Sequence, residues 1–302
     1  MTRERITFWA ALAALVLGAA AAYLLLLGRE PAAPAPAPPS PSPAVPLAVA
    51  TVEGEVTVIR AGVRTRVVPG APLRADDALE TAPGARVEVV GGGYTVALEE
   101  GGQFTVGEIT AQLSRFRLGA GLVSARVQDD PARSVEIEGS PDAVARTRGG
   151  EVSVSRAGTT VAVGVRRGRA DFTAGGATVA LAEGQQSESR AGGRPSPAAP
   201  LPASLLLKVT WPAARTTNER RMVVTGRATP GSIVVLGGER VEVQADGRFT
   251  HVIVLREGRQ TLAAHALGVA GKASSEGPTI VLDTRAPDAR FDTRDLWVKP
   301  RP

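Results

Sequence analysis

The 302-residue sequence contains no cysteine. A disulfide framework, a thiolate metal site and a lipid-modified N-terminal cysteine are therefore excluded, and any membrane tether must be polypeptide. Aromatic residues make up only 4% of the chain, against 34 glycines and 23 prolines. That balance disfavours packed helices and favours short strands joined by Gly/Pro turns, so the expected fold class is all-β. Histidine is scarce too: His251 and His265 both fall inside expected strands, with no serine or carboxylate placed near either in a triad-like pattern. Two histidines without cysteine offer too few soft ligands for zinc. Asp76-Asp77 and Asp129-Asp130 lack the spaced Asp/Asn pattern and the glycine of a calcium loop, and they read as solvated loop carboxylates. Gly91-Gly92-Gly93 is followed by no helix and no Gly-Lys-Ser/Thr, so it reads as a hairpin turn and not a phosphate loop. No catalytic, cofactor-binding or metal-ligating residue is expected, no cofactor is implied, and the chain is expected not to be an enzyme.

Charge of one sign is also missing in bulk. The 35 basic and 30 acidic residues are interleaved, and the net +5 comes with no basic stripe carrying stacking aromatics. Nucleic acid is therefore not an expected partner, because binding needs clustered charge and not a small excess. Weak adhesion to anionic envelope polymers stays open.

Long apolar runs are absent except for one. From Ile6 to Gly28 the chain is uncharged and mostly apolar. At 1.5 Å rise per residue, a run of about 23 residues is just long enough to cross a bilayer. Arg3 and Arg5 precede it, Arg29 follows, and Trp9 and Tyr23 sit near its ends. The positive-inside tendency puts the N-terminus in the cytoplasm, giving a single-pass signal anchor with everything after Arg29 outside. A cleavable signal peptide cut within Ala19 to Ala22 is the alternative, although Leu24 to Leu27 extends the apolar core past that site. Residues 31–48 form a linker whose Ala/Pro/Ser run from Pro31 to Pro46 favours an extended polyproline II stalk.

Residues 49–189 alternate with period two: Glu55-Val56-Thr57-Val58-Ile59, Arg86-Val87-Glu88-Val89-Val90, Thr95-Val96-Ala97-Leu98, Ser134-Val135-Glu136-Ile137-Glu138, Glu151-Val152-Ser153-Val154 and Thr160-Val161-Ala162-Val163. Each predicts a strand. Pro69-Gly70, Pro83-Gly84, Gly101-Gly102, Gly149-Gly150 and Gly175-Gly176 punctuate them as turns. Gly54-Glu55-Val56-Thr57-Val58-Ile59-Arg60-Ala61-Gly62 recurs as Gly150-Glu151-Val152-Ser153-Val154-Ser155-Arg156-Ala157-Gly158, and Thr95 to Gly101 recurs as Thr178 to Gly184. An insertion in the first copy separates the two offsets, which suits an approximate duplication better than a strict array.

This region resembles the FecR domain, the extracytoplasmic module of bacterial envelope signalling proteins. The resemblance rests on Gly54-Glu55-Val56-Thr57-Val58, on the Pro69-Gly70 to Asp77 turn leading into Leu79-Glu80-Thr81, on the strand Arg86 to Val90, and on Gly168-Arg169 through Val179-Ala180-Leu181-Ala182-Glu183-Gly184-Gln185. Around Ala143 to Gly150 the chain departs from it: Ala-Arg-Thr-Arg-Gly-Gly stands where the family usually has Gly-Thr. The resemblance implies interaction and signalling without chemistry. Only residues 1–5 precede Ile6, which is too few for the cytoplasmic sigma-binding domain of full-length regulators of this type, so direct control of transcription is not expected.

Residues 190–203 form a second Gly/Pro/Ala/Ser linker, after which strands restart at Leu205-Leu206-Leu207-Lys208-Val209-Thr210. About seven strands are predicted through Asp283, the size of a β-sandwich. Val224-Thr225-Gly226-Arg227-Ala228-Thr229-Pro230-Gly231-Ser232, then Val243 to Phe249, Leu255-Arg256-Glu257-Gly258 and Ala266 to Gly271 resemble bacterial immunoglobulin-like repeats, with Arg259-Gln260 where an asparagine is common. An immunoglobulin-like sandwich over 204–284 and a tail over 285–302 are expected. Trp211, before Pro212, is expected to cap the sandwich core, and Trp297 lies in the tail. The expected role is a membrane-anchored envelope component whose β modules contact another envelope protein in signalling or scaffolding; the alternative is a peptidoglycan- or glycan-binding subunit.

Overall fold

The computed structural model describes Tyr23 and residues 46–285. The apolar segment apart from Tyr23, the stalk before Pro46 and the tail with Trp297 lie outside the described residues. Among the described residues no helix is long and apolar enough to cross a membrane. Residues 46–285 are strands and turns, as the scarcity of aromatics and the period-two alternation require.

The first β unit runs β1 (Leu47–Glu53), β2 (Val56–Arg60), β3 (Val63–Arg66), β4 (Pro72–Leu73), β5 (Ala78–Thr81), β6 (Arg86–Gly91), β7 (Tyr94–Leu98), β8 (Gln103–Ile109), β9 (Leu113–Val127), β10 (Ser134–Ser140), β11 (Ala143–Thr147), β12 (Gly150–Ala157), β13 (Thr160–Ala174), β14 (Ala177–Ala182), β15 (Gln185–Arg190) and β16 (Ala199–Pro200). They form two sheets. One has the order β4-β1-β6-β7-β9-β12-β13-β15-β16 and is antiparallel throughout. The other has the order β3-β2-β5-β8-β9-β10-β11-β13-β14, with β9 and β10 its one parallel pair.

The strands β9 and β13, each 15 residues long, belong to both sheets. Up to Ala120, β9 pairs with β8, and from Gly121 onward with β12. Likewise β13 pairs with β12 up to Gly168 and with β14 from Arg169. Both corners fall at glycines with positive φ, Gly121 at 105° and Gly168 at 82°. A side chain there would meet backbone at 2.6 and 2.8 Å, so only glycine lets the strand turn and the neighbouring chain come close. Between the sheets lies one core in which valine is the commonest residue, with Phe104, Phe116 and Phe172 fully buried in it.

The sequence repeat acquires a meaning that its letters did not carry. The first Gly-Glu-Val copy forms β2 in the second sheet, whereas its echo forms β12 in the first. Thr95 to Leu98 forms most of β7 in the first sheet, and its echo lies in β14 of the second. Each copy therefore contributes a strand to both layers of the sandwich, and the matching strands of the two copies lie on opposite layers.

The second β unit runs β17 (Leu207–Thr210), β18 (Thr216–Thr217), β19 (Arg221–Ala228), β20 (Ile233–Leu236), β21 (Glu239–Val241), β22 (Arg248–Val254), β23 (Gly258–Gly268) and β24 (Gly271–Leu282). A three-stranded sheet β17-β19-β22 faces a five-stranded sheet β18-β24-β23-β20-β21. Their core contains Val224, Leu236, Phe249, Leu255 and Ile280.

Candidate functional site

Each of the two histidines faces a carboxylate. His251 on β22 places Nε2 3.2 Å from Oε2 of the exposed Glu239. His265 on β23 places Nε2 3.3 Å from Oε1 of Glu100, a residue of the first β unit. Glu100 is far from His265 in the chain, and only the fold brings the two together. Among the described residues, no cluster of three or more histidine or carboxylate side chains is arranged to hold a metal ion. Trp211 caps the second core: its ring lies 2.8 Å from where a side chain on Gly277 would start, and its indole N–H donates to Ser275 Oγ at 3.2 Å.

Asp77 corrects an expectation. It is 1% exposed and not a solvated loop carboxylate. Its two oxygens accept Arg60 Nε at 2.7 Å and Nη2 at 2.6 Å, and Oδ2 also accepts the Arg74 amide at 2.7 Å. The Arg60 guanidinium outweighs the opposing effect of burial and holds the Asp77 carboxyl below its ordinary range. Asp76 beside it is exposed, with φ at 66°. Asp130 is half-buried and accepts the Ala132 amide at 2.9 Å.

Glu136 on β10 is a second buried carboxylate, directly opposite Arg115 of β9 on one side and Arg146 of β11 on the other. It accepts Arg115 Nε at 2.9 Å and Arg146 Nε at 2.6 Å. Burial pushes its carboxyl up, but the two guanidinium groups push harder, and the net result lies below the ordinary value.

The most extensive polar arrangement joins the two β units. Both β units belong to one compact body. Strand β20 is buried on both faces: Val234 and Leu236 enter the core of the second unit, while Ile233 and Val235 pack with Leu267 against Leu122 and Ala157 of the first. Around this apolar contact, Ser155 Oγ donates to Gly231 O at 3.1 Å and Arg166 Nη2 donates to Ala270 O at 3.2 Å. The buried Glu99 receives Lys272 Nζ at 2.7 Å from the second unit and Arg86 Nη1 at 3.7 Å from its own. An apolar centre with a polar rim is the usual anatomy of a stable interface.

Ile233→Asp, which places a carboxylate in this centre, is expected to separate the units. Tryptic cleavage after Arg190, where the linker begins and whose guanidinium reaches Ala245 O of the second unit at 3.5 Å, should accelerate while far-UV circular dichroism keeps its β signature; cleavage as slow as in the wild type would count against a locked junction.

Two grooves of about 560 Å³ each open on the first unit. Arg126, Gln128, Glu151 and Arg167 line one, Arg146, Arg169 and Asp171 line the other, and Asp129 is common to both. Their linings carry both signs of charge.

Comparison with known proteins gives partial likenesses. The sequence model of the family described as "Glucodextranase, domain B" matches residues 206–284. No curated protein matches the chain. Two crystal structures of a proposed anti-sigma factor from Parabacteroides distasonis are similar, with 17% and 18% identity and a TM-score of 0.37 each. Both likenesses cover 41% of this chain and 59% of the other, so the chain spans about three fifths of the length of those structures. A polysaccharide lyase is similar over 79% of this chain and 40% of its own, at 10% identity and a TM-score of 0.20.

Proposed function

We propose that this chain is a membrane-anchored, non-catalytic component of a bacterial cell envelope, held in the inner membrane by the segment Ile6 to Gly28 with its bulk in the periplasm. Its FecR-like and immunoglobulin-like β units act as one rigid arm that contacts another envelope protein in signalling or scaffolding. The locked junction carries this reading: a contact made on either unit is transmitted to the other, as a scaffold or relay requires, because β20 is shared between two apolar contacts. The open edge of β3 supports it further. All four residues of Val63–Arg66 are exposed, and among the described residues β3 pairs only with β2, leaving a row of backbone donors and acceptors that an incoming strand can complete.

The full chain, used as bait in envelope extracts, is expected to retain a defined protein partner that Arg66→Pro releases, since the Arg66 N–H faces away from β2 on the open edge and proline removes that donor without breaking the β2 ladder. Retention of no protein, or equal retention by the proline variant, would sink the edge-binding reading.

A further inference from the structure

The outer face of β17-β19-β22 carries residues sorted into transverse rows. The pairing register sets Lys208 opposite Arg227, and Arg227 opposite Arg248. The next outward row is Thr210, Thr225 and Thr250, and beyond it lie Val223 opposite Val252 and Arg221 opposite Val254. All ten side chains are exposed, the valines at 59, 44 and 64% for Val223, Val252 and Val254, and none of the ten is acidic.

The cation row is the anomaly. Like charges directly opposite on neighbouring strands destabilise a sheet. Elsewhere this protein avoids that cost: Arg115, Glu136 and Arg146 alternate in sign across three strands, and Arg117 faces Glu138. In the row Lys208-Arg227-Arg248 three cations follow one another. Among the described residues the row's one carboxylate within salt-bridge reach is Asp246, 3.3 Å from Arg248 Nε in the adjacent turn, which leaves Lys208 and Arg227 without one.

We propose that this face is a binding surface for an extended anionic polysaccharide lying across the strands. Successive carboxylates or phosphates would neutralise the row, and the threonine hydroxyls would exchange hydrogen bonds with sugar hydroxyls. Neighbouring strands lie about 4.8 Å apart, close to the length of one sugar ring, so a charge on each ring meets a cation on each strand. The size of the face favours a thin ligand over a folded partner. Three strands span about 10 Å between the outer axes, and seven residues about 24 Å, well short of the roughly 800 Å² per partner of a stable protein interface. The valines stand on a flat sheet and not on a protruding loop, which suits a polymer laid on the surface better than insertion into a bilayer. This assignment goes beyond the protein contact proposed above and does not depend on it.

Binding of the full chain in non-ionic detergent to polygalacturonate decides the matter, with neutral dextran, phosphatidylglycerol vesicles and polyglutamate as competitors. Retention of polygalacturonate that weakens with salt, and weakens about tenfold or more in Arg227→Glu, supports the proposal; tenfold corresponds to about 1.4 kcal/mol. Arg126→Glu, on the groove of the other unit, should leave binding unchanged. The same Arg227→Glu chain should unfold at a higher urea concentration than the wild type, because it restores the alternating signs seen around Glu136. Equal binding by Arg227→Glu, a lower urea midpoint, or preference for dextran, vesicles or polyglutamate would each overturn the assignment. Capture of a protein partner through β3 should be indifferent to Arg227→Glu, so failure here and failure of the edge-binding reading are distinguishable.

Discussion

Phe116→Ala is expected to cost the first β unit about 3–5 kcal/mol, among the largest effects of any single substitution in the chain. Phe116 is fully buried on β9, where that strand belongs to the second sheet. Its ring meets Phe104 edge-on, with centroids 5.7 Å apart at 84°, and Tyr94 at 5.9 Å and 75°. Each such pair is worth about 0.5–1.5 kcal/mol beyond the area it buries. The surroundings make the loss hard to absorb. Nearly half of the buried residues of this core are valines, whose χ1 is stiff and whose strands are held in ladders, which limits how far the space left by the ring can close. Urea unfolding should show the lower midpoint with little change in slope, and Phe116→Leu should recover more than half of the loss. A midpoint shift equivalent to under about 1 kcal/mol would show that the core repacks freely, contrary to the rigidity argued from its composition.

Why this core was only half visible in the sequence is a matter of range. Alternation within Arg86–Gly91 or Ser134–Ser140 is local and predicts a strand wherever it occurs, and a Gly-Gly pair between two such runs predicts the hairpin. The all-β class and most strands were legible for that reason. Which sheet a strand joins depends on partners far along the chain, so the placement of matching strands of the two repeat copies on opposite layers was not legible. The junction between units was hidden for the same reason: it joins Ser155 to Gly231 and Arg166 to Ala270. One signal was present and unused. Ile233-Val234-Val235-Leu236 is a run of four apolar residues in a segment where other strands alternate, and an uninterrupted run in an antiparallel sheet means that both faces are covered. Asp77 shows the complementary failure. A carboxylate in a turn is solvated by default, and only the fold brings the Arg60 guanidinium onto it.

The two charge triads make the same point from opposite sides. A buried anion between two cations fixes three strands in register, because slipping by one residue would strand Glu136 without a partner. Three exposed cations in a row fix nothing within the chain. A feature that costs stability without specifying the fold is better explained by something outside it.

Acidification is expected to unfold the first β unit through Asp77 and Glu136, and the sign follows from their shifted carboxyls. Both are held below the ordinary carboxylate range in the folded chain, Asp77 by Arg60 and Glu136 by Arg146 and Arg115 acting against burial. In the unfolded chain each returns to about 4, so as pH falls through that value the unfolded state takes up protons that the folded state refuses. Stability is thus complete at neutral pH, begins to fall near the ordinary carboxylate value, and is lost once the folded groups themselves protonate. Glu136→Gln keeps the shape, removes the charge, and turns an acceptor toward two donors into an amide that satisfies them less well. It should cost about 1–3 kcal/mol at pH 7, discounted because Arg115 and Arg146 are partly exposed to water. Asp77→Asn should behave alike, and the pair should be nearly additive because they occupy separate networks. The decisive measurement is the urea midpoint against pH from 7 to 3. The wild-type curve should descend toward the double variant and meet it at acid pH, where the wild-type carboxyls have become neutral too. Parallel curves would mean that other groups govern acid unfolding and that the two buried carboxylates are neutralised in place at little cost.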